Sequence, residues 1–389
     1  MKNVTKNKGV TLIALVITII VLLILASVSI TTLFGQDGII TKGQEAARKT
    51  EDAAKNEQEF LNYAEDYMES VSKAIGDKMT AAGIQGNPES LRDVVDGVPI
   101  PKGFKVSSVA TERTKEEGLV IIDDKGNEFV WVPVKDLAEN GTIDGSGTDN
   151  QRFGRRLFGR TELLGGTSPV AGKYTEVLPL ALTKSVEDYG GFYIARYEAS
   201  YNNGKVASKP STTVTANYGS WTPTNGILWN LITNSDATTR CEEMYGSEAK
   251  VVAHLPFGAE WDTTLQWFKE TVTEFGNENT LIGANSTSWG NYVNVTINTV
   301  SSGQKWVDDP RLFNTGVETI PANRHMINNI YDIAGNLEEW TQEGYGVSAY
   351  VARGGNFDKF GTGLPAACRN GTAEWEAGYT GFRPALYIK

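Results

Sequence analysis

The chain has 389 residues, 40% apolar and 21% charged, which suffices for a membrane helix plus one globular domain of ordinary size. Its formal charge of −11 repels phosphate backbones and argues against a nucleic-acid partner. Two cysteines, Cys241 and Cys368, are too few for a disulfide framework and too far apart for a zinc motif, so either one bridge or two buried thiols is expected. With only His254 and His325, most histidine-based catalytic schemes lack material.

Residues 9 to 36 contain no charged side chain and follow Lys2, Lys6 and Lys8. The apolar run over residues 10 to 28 is long enough to cross a hydrocarbon core of about 30 Å at about 1.5 Å per residue. The lysine bias predicts a cytoplasmic N-terminus and an extracellular C-terminal part. A secretory signal also starts basic and apolar, but its core is shorter and ends at a small-residue cleavage site.

Gly35-Gln36-Asp37-Gly38 interrupts this helix, and Thr41 with Gln44 three residues on reads as a capping box that restarts it. In the second helix Glu45/Lys49 and Glu51/Lys55 stand four apart, and Phe60, Ala64, Met68, Val71 and Ile75 form an apolar stripe. The stripe suits packing against the chain's own domain or against a partner. Residues 76 to 97 read as a Gly- and Pro-containing linker with one short helix.

The globular domain is expected over residues 98 to 389. Leu119 to Ile122, a turn at Asp124-Lys-Gly-Asn127, and Phe129 to Val134 predict a β-hairpin. Residues 135 to 173 and 202 to 225 read as long surface loops. The first holds Arg152, Arg155, Arg156 and Arg160, a cluster expected to be a solvated face, with an anionic ligand as the alternative. Residues 144 to 150 suggest a calcium loop but lack the glycine and closing acid of an EF-hand.

Lys8-Gly9 followed by Val10-Thr-Leu-Ile resembles the processing site of type IV pilins and pseudopilins. By that resemblance residues 1–9 form a leader removed by a prepilin peptidase, Gly9 and Val10 flank the cut, and residues 10–75 form a transmembrane and stalk helix. Removing the three lysines takes the formal charge from −11 to −14. Those families place a glutamate at the fifth mature position where this chain has Ala14, which speaks against partnership with other pilins in a filament. An uncleaved single-pass anchor is the alternative.

Five segments recur in order: Phe129-Val-Trp-Val-Pro133, Gly191-Phe-Tyr-Ile-Ala-Arg-Tyr-Glu198, Leu255-Pro-Phe-Gly-Ala-Glu-Trp261, Asn329-Ile-Tyr-Asp-Ile-Ala-Gly-Asn-Leu-Glu-Glu-Trp340, and Arg353-Gly-Gly-Asn356 with Gly381-Phe-Arg383. The series resembles the formylglycine-generating enzyme and sulfatase-modifying-factor family, which implies an α+β chain ending in a C-type lectin-like domain with long loops. Phe192, Ile194 and Arg196 alternate with Tyr193, Ala195 and Tyr197 as in a strand, while Trp261, Leu265 and Phe268 share a helical face. Enzymes of the family bind copper through paired cysteines shortly after the double glycine. Residues 356 to 363 hold no thiol, so neither copper nor the oxidase activity is expected, and Cys368 reads as a small buried hydrophobe.

Non-catalytic members resemble surface receptors and the variable proteins of diversity-generating retroelements. That resemblance implies a ligand face on Asn356, Asp358, Lys359, Phe360, Thr362, Asn370, Thr372, Glu374, Trp375, Glu376 and Tyr379, with Trp375 as its main anchor or, alternatively, as a core residue. It also implies a structural Ca²⁺ held by Asp332 and Glu339 carboxylates and by the carbonyls of Gly335 and Leu337; backbone hydrogen bonding by the two acids is the alternative. The expected function is a bacterial surface adhesin or minor pilin that binds an extracellular protein or glycan. An altered enzyme on the same scaffold and a structural pseudopilin are the competing classes.

Overall fold

The computed structural model describes residues 12–134, 153–209, 225–272, 279–293, 295–297, 318–320, 326–374 and 377–389. Gly9, Val10, Arg152, His325, Trp375, Glu376 and the stretch 144 to 150 lie outside them. The chain is α+β and divides into two units, Met1–Lys73 and Ala74–Lys389.

Helix α1 spans Leu12–Phe34 and buries no residue. Its 23 residues carry no charge and extend about 35 Å. The break falls where expected, since Gly38 N–H bonds the Gly35 carbonyl at 2.7 Å and a Cβ at Gly38 would sit 2.6 Å from the Leu33 carbonyl oxygen. Helix α2, Ile39–Ala82, restarts two residues before Thr41, so the expected capping box lies inside it. The Gly38 carbonyl instead accepts Lys42 N–H at 2.9 Å. Glu45 pairs with Lys49 at 3.2 Å, whereas Lys55 pairs forward with Glu59 at 4.0 Å rather than back with Glu51. In the stripe, Ile75 is buried while Phe60 and Met68 are exposed.

The expected linker over residues 76 to 97 is regular structure. Helix α2 continues to Ala82, and β1, Leu91–Val95, pairs antiparallel with β2, Val98–Pro101. Burial of Met79, Leu91, Val98 and Ile100 outweighs the Gly and Pro content that suggested a linker.

The main sheet adds β3 (Phe104–Val106), β4 (Val120–Asp123), β5 (Glu128–Pro133), β6 (Gly191–Ala195), β7 (Val251–His254) and β12 (Ala385–Ile388). Its order is β7-β12-β6-β5-β4-β3, antiparallel throughout, so the last strand is inserted between β7 and β6. The hairpin β4–β5 is the expected one. The second sheet, in the order β10-β9-β8-β11, contains β8 (Glu338–Tyr345), β9 (Ala349–Arg353), β10 (Arg369–Thr372) and β11 (Thr380–Gly381). Helices α3 (Leu180–Tyr189), α4 (Asn234–Glu242) and α5 (Gly258–Thr271) complete the domain.

Helix α5 buries Trp261, Leu265 and Phe268 in the core with Val130, Val132, Phe192 and Ile194. Its first turn is capped by carboxylates: Glu260 accepts Phe257 N–H at 2.9 Å, and Glu176 accepts the N–H groups of Gly258 and Ala259. Two expected loops carry core or strand residues in their described parts. Phe153 and Phe158 join the core, and Ser200–Asn202 pairs with Lys205–Ala207 as a hairpin.

Candidate functional site

The second sheet brings its candidate residues to one region through the alternation of β8. Glu338 and Glu339 point to opposite faces because successive strand residues do. Glu338 is buried and accepts hydrogen bonds from Asn356 Nδ2, Asn370 Nδ2 and Thr380 Oγ1, each at 3.1 Å. Burial raises its carboxyl above the usual range, and the three donors only partly counter that. Register sets the trio: Glu338 lies opposite Thr380 in parallel β11, and Asn370 is the first residue after Arg369 on β10.

Gly354 and Gly355 turn the chain out of β9 with φ of 89° and 73°. A Cβ at Gly355 would run into the Leu364 carbonyl oxygen, so only glycine serves there. The following loop is pinned by backbone bonds from Phe357 N–H to the Asn336 carbonyl, Val293 N–H to the Lys359 carbonyl and Leu364 N–H to the Phe360 carbonyl. Its tip projects three side chains. Asp358 pairs with Lys359 at 3.0 Å, the Lys359 ammonium lies 5.9 Å from the Tyr379 ring centroid, and Phe360 is 58% exposed.

The expected ligand face therefore divides. Asp358, Lys359, Phe360, Thr362 and Glu374 are exposed, while Asn370, Thr372 and Tyr379 are half-buried. Asn356 is a correction: it is fully buried, its Nδ2 donates to Glu338, and its Oδ1 accepts Asp358 N–H at 3.0 Å. It builds the platform rather than the face. Glu374 accepts Ser235 N–H at 2.7 Å at the start of α4, and hydrogen bonding from Ser235 holds its carboxyl below the usual range. Glu338 was missed from sequence, although a doubled acid inside a strand pattern signals one buried carboxylate on each face.

Behind the face lies a buried charge network. Asp262 on α5 meets Arg353 and Arg369, and Glu343 meets Arg369 at 2.9 Å, Arg353 at 3.4 Å and Arg155 at 3.0 Å. Burial pushes Asp262 up, but the Arg353 and Arg369 guanidiniums outweigh it and leave its carboxyl low. Glu176, beside Glu343, is pushed up to about 8, mainly by burial. Arg155 is the second correction: the expected solvated cluster dissolves, because Arg155 is buried in this network. Arg156 lends its backbone N–H to Asp262 at 2.7 Å, and Arg160 pairs with Glu162.

On the other face Glu339 receives both Nε and a terminal nitrogen of Arg383, at 2.6 and 2.5 Å. Both carboxylate oxygens of Glu339, one of the two acids expected to hold Ca²⁺, accept from that guanidinium. Among the described residues no group of three His, Cys, Asp or Glu side chains is placed to hold a metal. Asp332 adopts a left-handed φ of 56°, and Gly335, at φ 73°, donates its N–H to the Gly354 carbonyl at 2.9 Å. Cys241, in α4, and Cys368, ahead of β10, are both free and buried, and burial raises both thiols. His254 bonds Glu260 at 2.8 Å.

No family model and no curated protein matches the chain. Among solved structures, Treponema denticola variable protein 1 aligns with a TM-score of 0.35 and 13% identity, over 73% of this chain and 99% of that one. CarF aligns with a TM-score of 0.30 and 16% identity, over 51% of this chain and 88% of that one.

Proposed function

We propose that this chain is a membrane-anchored surface protein whose C-terminal domain, of C-type lectin type, binds an extracellular protein or glycan without catalysis. The observation that carries the reading is the loop tip Asp358-Lys359-Phe360 beside Tyr379. It offers an exposed ring, a charge pair and a half-buried phenol on a backbone fixed from below by Glu338 and Asn356. Large apolar area on a rigid support, ringed by polar groups, is what a binding hot spot needs. Trp375, the main anchor expected from sequence, lies outside the described residues.

The anchor reading rests on α1, whose length and lack of charge suit a bilayer span. On this reading a prepilin peptidase cuts between Gly9 and Val10, and the mature protein stands at the surface as an adhesin or as a minor pilin in a pilus. Free, buried thiols with raised pKa support the non-catalytic reading.

Liposomes carrying the full chain, applied to arrays of glycans and matrix proteins, test the binding claim. Saturable capture that Phe360→Ala and Trp375→Ala each weaken about thirtyfold is expected. Capture unchanged in both variants, or thiol-dependent oxygen uptake by the protein, would overturn it. Mass spectrometry of the cell-derived protein should find Val10 first; an intact Met1 would defeat the processing claim.

A further inference from the structure

We infer that α2 associates with the α2 helix of a second copy of this chain, parallel and in register, through a seven-residue apolar repeat. The pairs Ile39-Ile40, Ala46-Ala47, Ala53-Ala54, Phe60-Leu61 and Tyr67-Met68 recur every seven residues. Between the two columns, on the helical wheel, runs a third made of Gly43, Thr50, Glu57, Ala64 and Val71. The far side repeats Glu45, Asp52, Glu59, Asp66 and Lys73. A strict period of seven over five repeats exceeds the three or four that mark a supercoil, and it drifts off the face that a straight helix presents to a domain.

The face is uncovered where the repeat runs: Ile39 is 68% exposed, Phe60 69%, Tyr67 58% and Met68 54%. The next pair, Ala74-Ile75, falls in the globular unit, where Ile75 is buried and Ala74 is exposed. Of the three columns, the one that runs through Ile40 is thus covered at Ile75, while its five earlier members are left open.

A second copy is the occupant the pattern selects. It carries the same period, with small residues from 43 to 54 meeting small residues and the band at 60, 61, 67 and 68 meeting its like. Charge flanking the face sets the direction. One flank carries Lys42 and Lys49, the other Glu51 and Glu65, so parallel packing sets basic against acidic, whereas antiparallel packing sets like against like. Glu57 is the one charge on the face, and a single polar residue at such a position fixes register at a cost in stability. Copies anchored through α1 in one membrane already share direction and a raised local concentration. The inference rests on the anchor reading for that last point alone.

The test is symmetric cross-linking of the full chain in liposomes under mild oxidation, the two native thiols being buried. Ala54→Cys on the face should give disulfide dimers at about tenfold or more the yield of Asp52→Cys on the far side. Adding Phe60→Asp with Leu61→Asp should return the Ala54→Cys yield to that of Asp52→Cys. Equal yields at positions 54 and 52, or no dimer at 54, overturn the inference. Flotation of the same liposomes reads the anchor separately: protein that fails to float yet cross-links at 54 defeats the anchor and leaves the association standing.

Discussion

Arg369 Nε donates to both carboxylate oxygens of Glu343, at 2.9 Å each, with neither side chain exposed to solvent. Arg155 and Arg353 meet the same carboxylate, so Glu343 is the shared counter-charge of three guanidiniums. Glu343→Leu leaves buried positive charge uncompensated and should cost about 3–5 kcal/mol. Urea unfolding of the full chain in detergent measures it, and a loss under about 1 kcal/mol would contradict the account.

Stability should fall as pH rises from about 5 to 8. Burial raises Glu128, Glu198, Glu338 and Glu339 above the usual carboxyl range and pushes Glu176 to about 8. An acid whose folded pKa exceeds its unfolded one binds more protons when folded. Its stabilisation is thus present at low pH and lost as pH climbs through the folded pKa. Asp262, held low, works oppositely but only at pH below its unfolded value. The thermal midpoint followed from pH 5 to 8.5 should slope downward, and Glu176→Gln should flatten the upper part. A midpoint that climbs across this range would refute the assignment.

Gly355→Ala should destabilise the domain by about 2 kcal/mol or more, through left-handed strain plus the collision with Leu364. Gly363→Ala, with φ outside the left-handed region and only a 3.4 Å approach to the Phe360 carbonyl oxygen, should cost far less. Matching losses in the two variants would remove the argument for the turn.

Platform and face should separate on mutation. Asn356→Ala strips a donor from buried Glu338 and should cost about 1–3 kcal/mol of stability. Phe360→Ala, at an exposed tip, should change stability by no more than about 0.5 kcal/mol while weakening ligand capture about thirtyfold. Equal stability losses would mean that Phe360 is part of the core.

Arginine at both Ile19 and Ile20 should shift the chain out of the membrane fraction, since each charge near a span's centre costs about 2.5–3.5 kcal/mol. Fractionation with carbonate washing checks this; unchanged retention of the double variant would speak against a bilayer span.

Local signals were legible where one chemical reason sufficed. An uncharged 23-residue run forms a helix in any sequence order of the rest, Gly35 to Gly38 breaks it, and Asp124 to Asn127 closes a hairpin between β-branched runs. Trp261, Leu265 and Phe268 share a face because helical spacing demands it. Charged residues were legible far less well. Arg155 in a glycine-rich stretch looks solvated, yet it is buried because Glu343 and Glu176, 188 and 21 residues away in sequence, converge on it. Asn356 looked like part of a binding face for the same reason: its partner Glu338 lies across two strands.

Sequence by itself determined the long apolar helix, the helix break, the hairpin and the absence of a thiol pair after the double glycine, because each depends on neighbours within a few residues. Only the tertiary structure decided which acids and arginines are interior, that Glu339 serves Arg383, and that Glu338, through Asn356, underlies the exposed tip. Charge burial is settled by partners brought together across the sheet, and no local pattern records how far along the chain those partners lie.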